Sequence, residues 1–380
     1  MPAAAWGVYH QRRFWMPYTH DSASSPASRD VTDELIASDI LDPDTFDPIG
    51  NQYRVTAGIA DFVVGVEPFY EDVLLVFNRN SIHALSGISG SLADVVTREL
   101  TREVGCLARR SIVQHGANVF FLSDDGVYGV GFIDEYNLRG VDVPLSEPIQ
   151  PVIDRINPDL ADDSVGIYFD NRYWLALPLD SEVGAGDAMG NNAILVYNFI
   201  NQGWESVDTV ADSRWGVLDF HVGRSGERND LYAINSQGGI HLLDAVDQTS
   251  DELAVAPGES VSYEPVPWVF ETRQYAASDG GRARFTRIQA QVEGSGLSAD
   301  GNLMIKTEDP DASASLGLFS DHIYGGDAVS AGEDYSIRCR TGGKRGQGAS
   351  VRVSAGYGRP RIKSIALDAS VTNRSTITQG

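Results

Sequence analysis

One recurring phrase constrains this chain more than any other feature. Residues 119 to 130 read VFFLSDDGVYGV, and LLVFNRNSIHAL (74 to 85) and DLYAINSQGGIHLL (230 to 243) are built the same way. Each is a short apolar run, a cluster of Asn, Asp, Ser and Gly, and a second short run, the pattern of strand, turn, strand. A second form appears in GVYHQRRFWMP (7 to 17) and GIYFDNRYWLALPL (166 to 179), where an alternating strand and a tight polar turn with Arg precede an aromatic-rich strand. Counted from Val76, Phe120, Ile167 and Leu231, the hairpins stand 44, 47 and 64 residues apart. The longest interval holds one more, AILVYNFINQGWESVD (193 to 208), with Tyr197 and Trp204 flanking an Asn-Gln-Gly turn. A period in the forties with about four short strands per unit predicts an all-β chain, beginning with a β-propeller of about five to six blades.

The pattern changes further along. PGESVSYEPVPW (257 to 268) has three prolines and a glycine and reads as a linker. After it, VFETRQYAA, ARFTRIQAQVEG, NLMIKTE, EDYSIRCR, ASVRVSAGYG and RIKSIALDASV alternate apolar with polar at period two. Half-buried antiparallel strands read this way, and Gly- or Asp-rich turns between them predict a β-sandwich. Charge shifts at the same place. Residues 262 to 380 hold 14 of the 29 Lys and Arg and 13 of the 53 Asp and Glu, leaving 15 cations against 40 anions before them, a net of −25. The three lysines, Lys306, Lys344 and Lys363, all fall in the later part. These breaks divide the chain into a propeller at 1–261 and a sandwich-like assembly domain at 262–380. The best helical signal is SLADVVTRELTREVG (91 to 105), with Ser91 as a cap, although a strand fits it equally.

An acidic first part without lysine argues against tight nucleic-acid binding there, because affinity for a phosphate backbone comes largely from cations that displace counterions. No apolar run approaches the roughly 18 residues of a membrane helix, and the opening MPAAAWGVYHQRRFW lacks the form of a secretory signal, which predicts synthesis in a cytoplasm. Cys106 and Cys339 lack metal spacing and read as small buried hydrophobes.

The residues that carry chemistry elsewhere do not assemble here. No G-x-S-x-G or H-E-x-x-H is present. His83 and His241 hold equivalent places in two repeats where Tyr128 stands in the third, which suits packing. The stretch 30 to 48 has seven carboxylates and no base; Asp42 and Asp44 match the first spacing of a calcium loop, but Phe46 replaces the next ligand and the glycine is missing. Asp124 with Asp125 and Asp162 with Asp163 are pairs that a glycosidase could use, yet each sits in a turn signal. RTGGKRGQG (340 to 348) lacks Walker spacing and reads as a hairpin tip whose Lys344 and Arg345 are candidate contacts to DNA phosphate or an acidic partner. The sequence therefore assigns no catalytic, cofactor or metal residue.

Taken in order, YHQRRFW (9 to 15), IASDILDPDTFDP (36 to 48), LLVFNRNSIHALSG (74 to 87), GCLARRSIVQHGANVFFLSDDGVYGV (105 to 130), YNLRG (136 to 140), PLSEPI (144 to 149) and LVYNFINQGWES (195 to 206) resemble a β-propeller family of bacteriophage tail proteins. They are similar in particular to the nozzle or tail-tubular proteins of short-tailed phages, over most of residues 7 to 245. The resemblance implies a virion protein, a homohexameric ring in contact with other tail or adaptor proteins, through which genomic DNA passes without tight binding. A length of 380 residues is short for a nozzle, so hub and adaptor positions stay open. A glycan-binding or glycan-hydrolysing propeller is the alternative from another class, and an intracellular propeller scaffold is a third.

Overall fold

A computed structural model describes residues 4, 6–18, 32–47, 49–56, 60–70, 72–134, 137–139, 143–180, 190–209, 216–236, 238–243, 250–253, 262–265, 268–276, 283–293, 300–307, 319–324, 334–340, 345–357 and 361–371. The chain is all-β, built from small antiparallel sheets, and divides into two compact units, Met1–Asp244 and Ala245–Gly380. The composition break near 260 falls inside the second unit.

Among the described residues the first unit holds five sheets, each made of strands consecutive in sequence. Val8–His10 (β1), Arg13–Pro17 (β2), Glu34–Ala37 (β3) and Gln52–Arg54 (β4) form the first. Val63–Phe69 (β5), Val73–Asn78 (β6), Ile82–Ser86 (β7) and Val96–Thr101 (β8) form the second. Val113–His115 (β9), Asn118–Ser123 (β10), Gly126–Asp134 (β11) and Asn137–Arg139 (β12) form the third. Val165–Phe169 (β13), Arg172–Leu177 (β14), Ala193–Asn198 (β15) and Gly203–Thr209 (β16) form the fourth. Val217–Ser225 (β17), Arg228–Asn235 (β18) and Ile240–Leu243 (β19) form a fifth of three strands.

The two sequence forms are two positions in these meanders. LLVFNRNSIHAL, VFFLSDDGVYGV and DLYAINSQGGIHLL join second to third strands, whereas GVYHQRRFWMP and GIYFDNRYWLALPL join first to second. Ile167 therefore stands on a first strand and Val76, Phe120 and Leu231 on second ones, and hairpins 166 to 179 and 193 to 208 share one sheet. Gln11 and Arg12, and Asp170 and Asn171, all have positive φ, the left-handed pair that lets a two-residue turn follow the twist of its strands. At 91 to 105 both readings hold in part: Ser91 Oγ accepts Ala93 N at the start of a single 3-10 turn, and β8 follows.

Inner strands carry continuous apolar runs because both of their faces are buried. Leu74 and Val76 enter one core with Trp15 and Leu35 of the first sheet, while Leu75 and Phe77 enter another with Val119 and Phe121 of the third. Phe120 and Leu122 pack with Tyr173, Leu175 and Leu195 of the fourth sheet, and Trp174, Ile194 and Val196 with Phe220 and Leu231 of the fifth. Neighbouring sheets thus stack face to face in chain order.

In the second unit Ser250–Leu253 (β20) pairs with Ser262–Pro265 (β21). Trp268–Glu271 (β22), Tyr275–Ala276 (β23), Ala283–Glu293 (β24), Asp300–Thr307 (β25), Phe319–Tyr324 (β26), Asp334–Arg340 (β27), Arg345–Gly346 (β28), Gly348–Tyr357 (β29) and Arg361–Val371 (β30) follow. One sheet runs β22-β29-β25-β26 with β23 on β29, and the other centres on β24, which pairs with β27, β28 and β30. Phe285, Ile288 and Ala290 of β24 share a core with Val351 and Val353 of β29.

Candidate functional site

Of the two residues singled out in the basic loop, Lys344 lies outside the described residues. Arg345 is exposed at the start of β28, directly opposite Arg284 of β24. Register brings further arginines to the same sheet: Arg340 of β27 stands opposite Arg287, and Arg338 opposite Gln289. Phe285, Ile288 and Ala290 turn into the core; a register shift between Phe285 and Arg287 interrupts the alternation, so that Arg284 and Arg287 both turn outward with their cross-strand partners, and all five arginines are exposed.

Their setting is one of unmet charge. Of these five arginines, Arg287 alone has an ion pair among the described residues, to Asp368 of β30 at 3.8 Å. Like charges directly opposite one another destabilise an antiparallel pair, and this sheet has two such pairs. At the far end of the same strands Glu293 stands opposite Asp334, so the basic character belongs to one end. Chemically the face can grip carboxylates or phosphates, since a guanidinium offers a planar fork of donors that either group accepts in bidentate fashion. Arg284, Arg287, Arg338 and Arg340 are absent from the sequence reading. Only Arg338 and Arg340 of SIRCR keep a period of two, Arg284 and Arg287 of ARFTR being three apart, and their convergence depends on pairing between residues about 50 to 60 positions apart.

Two more arginines stand where first strands meet. The segment GCLARRS leads into β9, and the Arg109 guanidinium lies 5.8 Å from the centre of the Trp6 ring while its stem approaches Gly65 of β5. Arg110 donates to the carbonyls of Leu218 on β17, at 2.7 Å, and Asp163, just before β13. These side chains tie the surroundings of the first, second, fourth and fifth sheets to a segment of the third.

The acids and histidines serve turns. Asp42 accepts Asp44 N and the Thr45 hydroxyl, ordering its own loop. Asp124 is paired at 2.5 Å with Arg79, which projects from the neighbouring sheet's turn, while Asp162 and Asp163 lie on a 3-10 turn. His83 Nε2 meets Ser81 Oγ at 3.0 Å, and that hydroxyl donates to Asp61 at 2.6 Å; the carboxylate holds the serine, not the imidazole. Burial keeps His83 below its usual pKa, against the opposing pull of Glu99 and Asp61. In the fifth sheet His241 meets the turn residue Asn235 at 3.0 Å. Among the described residues no group of three or more His, Cys, Asp or Glu is placed to hold a metal ion, and no helix is long and apolar enough to cross a membrane. Cys106 is fully buried and its thiol is pushed up to about 12 by that burial.

No protein-family model and no curated protein matches this chain.

Proposed function

We propose that this chain is a structural protein of a phage tail, a nozzle, hub or adaptor layer that closes into a ring, six copies in the form the sequence resemblance implies, and conducts DNA during ejection. In this reading the first unit is a five-bladed β-propeller, the second unit serves assembly, and the protein works in the virion. One observation carries the propeller: each inner sheet buries its two faces against the sheets before and after it, and β1 touches β5, β9 touches β13 and β13 touches β17. Twisted four-strand meanders stacked in this way suit radial repetition about an axis. The ordered motifs from residue 9 to 206 support the tail assignment, and a lysine-free first part with net charge −25 suits a wall past which DNA slides without being held.

Mass measurement of the full chain in solution, with negative-stain images, tests the reading. The expected result is a closed ring with a central hole wide enough for a DNA duplex. A strict monomer at every protein and salt concentration would remove the ring from the proposal.

A further inference from the structure

The loop from residue 39 to 50, between β3 and β4, has no part in the hairpin logic, yet it is firmly built. Asp39 N donates to Thr45 O at 2.9 Å, Asn51 Nδ2 to Asp39 Oδ1 at 2.6 Å, and Asn51 N to Asp47 O at 2.9 Å. What this frame presents is unusual for a free surface. Ile40, Leu41 and Ile49 are 44%, 69% and 92% exposed, and Asp42, Asp44 and Asp47 are exposed among them. The Arg12 carbonyl accepts Leu41 N, and the Arg13 guanidinium lies near Asp39 at the loop's start. An exposed group of aliphatic side chains interleaved with carboxylates has the make-up of a contact surface.

The same chain carries the complement. The outer face of β24, β27 and β28 offers Arg284, Arg287, Arg338, Arg340 and Arg345 against Asp368. Arginine stems cover apolar groups while their heads reach carboxylates, so they fit both components of the loop. A phosphate backbone is the weaker fit, because it offers no aliphatic groups for the arginine stems to cover.

We propose that the acidic loop of one copy docks on the arginine face of a second copy. Such a contact is heterologous, using two different patches, and repeats until a ring closes. It rests on the self-assembly part of the function proposed above and names the surfaces that perform it. β24 and β27, about 4.8 Å apart over about seven residues, with the two residues of β28 beyond them, give a face on the order of 200 Å², below the roughly 800 Å² per partner of a stable interface. The contact is therefore weak and salt-sensitive in a single pair, and is strengthened by closure, where every copy engages through both patches.

The test uses the full chain, with mass and sedimentation followed in low and high salt. Two charge-reversed proteins are made, Asp44→Arg with Asp47→Arg, and Arg287→Glu with Arg340→Glu. Each alone is expected to weaken self-association by about tenfold or more, and mixing the two should restore it, since reversed loop then meets reversed face. Restoration also shows that both variants fold. Assembly indifferent to either reversal would overturn this docking while leaving the ring intact. A wild-type monomer at all concentrations would overturn both. If the arginine variant instead loses binding to a short DNA duplex with self-association unchanged, the face belongs to nucleic acid and the proposal fails.

Discussion

Glu67 shows how a single carboxylate records its surroundings. It stands half-buried on β5 opposite Leu75, and burial raises its pKa from 4.5 to about 7. Between these values the folded protein holds a proton that the unfolded chain has released, so this residue's contribution to stability is greatest below pH 4.5 and is lost as pH rises through 7. Glu67→Gln should accordingly stabilise the protein at pH 8, by on the order of 1–3 kcal/mol, with the gain vanishing near pH 4.5; equal gains at both pH values in thermal melts would refute the assignment. Cys106 gives a second expectation. A buried thiol with a pKa of about 12 should resist thiol reagents at pH 8 until the protein unfolds, as mass spectrometry of labelled native and denatured samples would show. Beside it, a Cβ on Gly105 would overlap the Arg79 carbonyl. Backbone cannot swing aside as a side-chain tip can, so Gly105→Ala should cost upwards of about 2 kcal/mol in denaturant melts.

At the level of elements, the turns account for the recurring phrases. Asn198 closes the third strand of the fourth sheet and Asn235 the second strand of the fifth, both buried. The Asn198 Oδ1 accepts Ile200 N at 2.7 Å and Asn201 N at 3.1 Å, and the Asn235 Oδ1 accepts Gly239 N at 2.6 Å. Each replaces a peptide partner that the reversing chain lacks, so Asn198→Ala should destabilise by about 1–3 kcal/mol; a loss under a few tenths in urea titration would deny it that role. These hairpins were legible in sequence because their cause is local: alternation or continuous apolarity in a strand, and Asn, Asp or Gly in its turn. The stacking of sheets was legible only through the period. The arginine face was not, since Arg284 meets Arg345 and Arg287 meets Arg340 through pairing that no short window contains. The loop at 39 to 50 was visible as acidic, but exposure of its aliphatic residues depends on how Asp39 and Asn51 fold it back.

The whole molecule is two units with separate cores and unequal charge. Among the described residues four shared cores lie within Met1–Asp244, and the core of Phe285, Ile288 and Val351 lies within the second unit. Expressed alone, residues 1–244 should unfold in one cooperative transition by calorimetry; a broad, non-cooperative melt would mean that the second unit is needed to complete them. A net charge of −24 makes the native state repel itself. Screening should relieve this, so the melting temperature is expected to rise by a few degrees between about 20 and 500 mM salt. Arg110 has one further consequence, which concerns time. Each sheet of the first unit assembles from strands that follow one another, whereas the bond from Arg110 to Leu218 joins residues 108 positions apart. Local meanders form quickly, and an exposed side-chain bond between sheets is expected to close only once those sheets have docked, on the native side of the main barrier. Arg110→Ala should then quicken unfolding while barely slowing refolding, so that the two arginines beside β9 act as a latch on the lifetime of the native state.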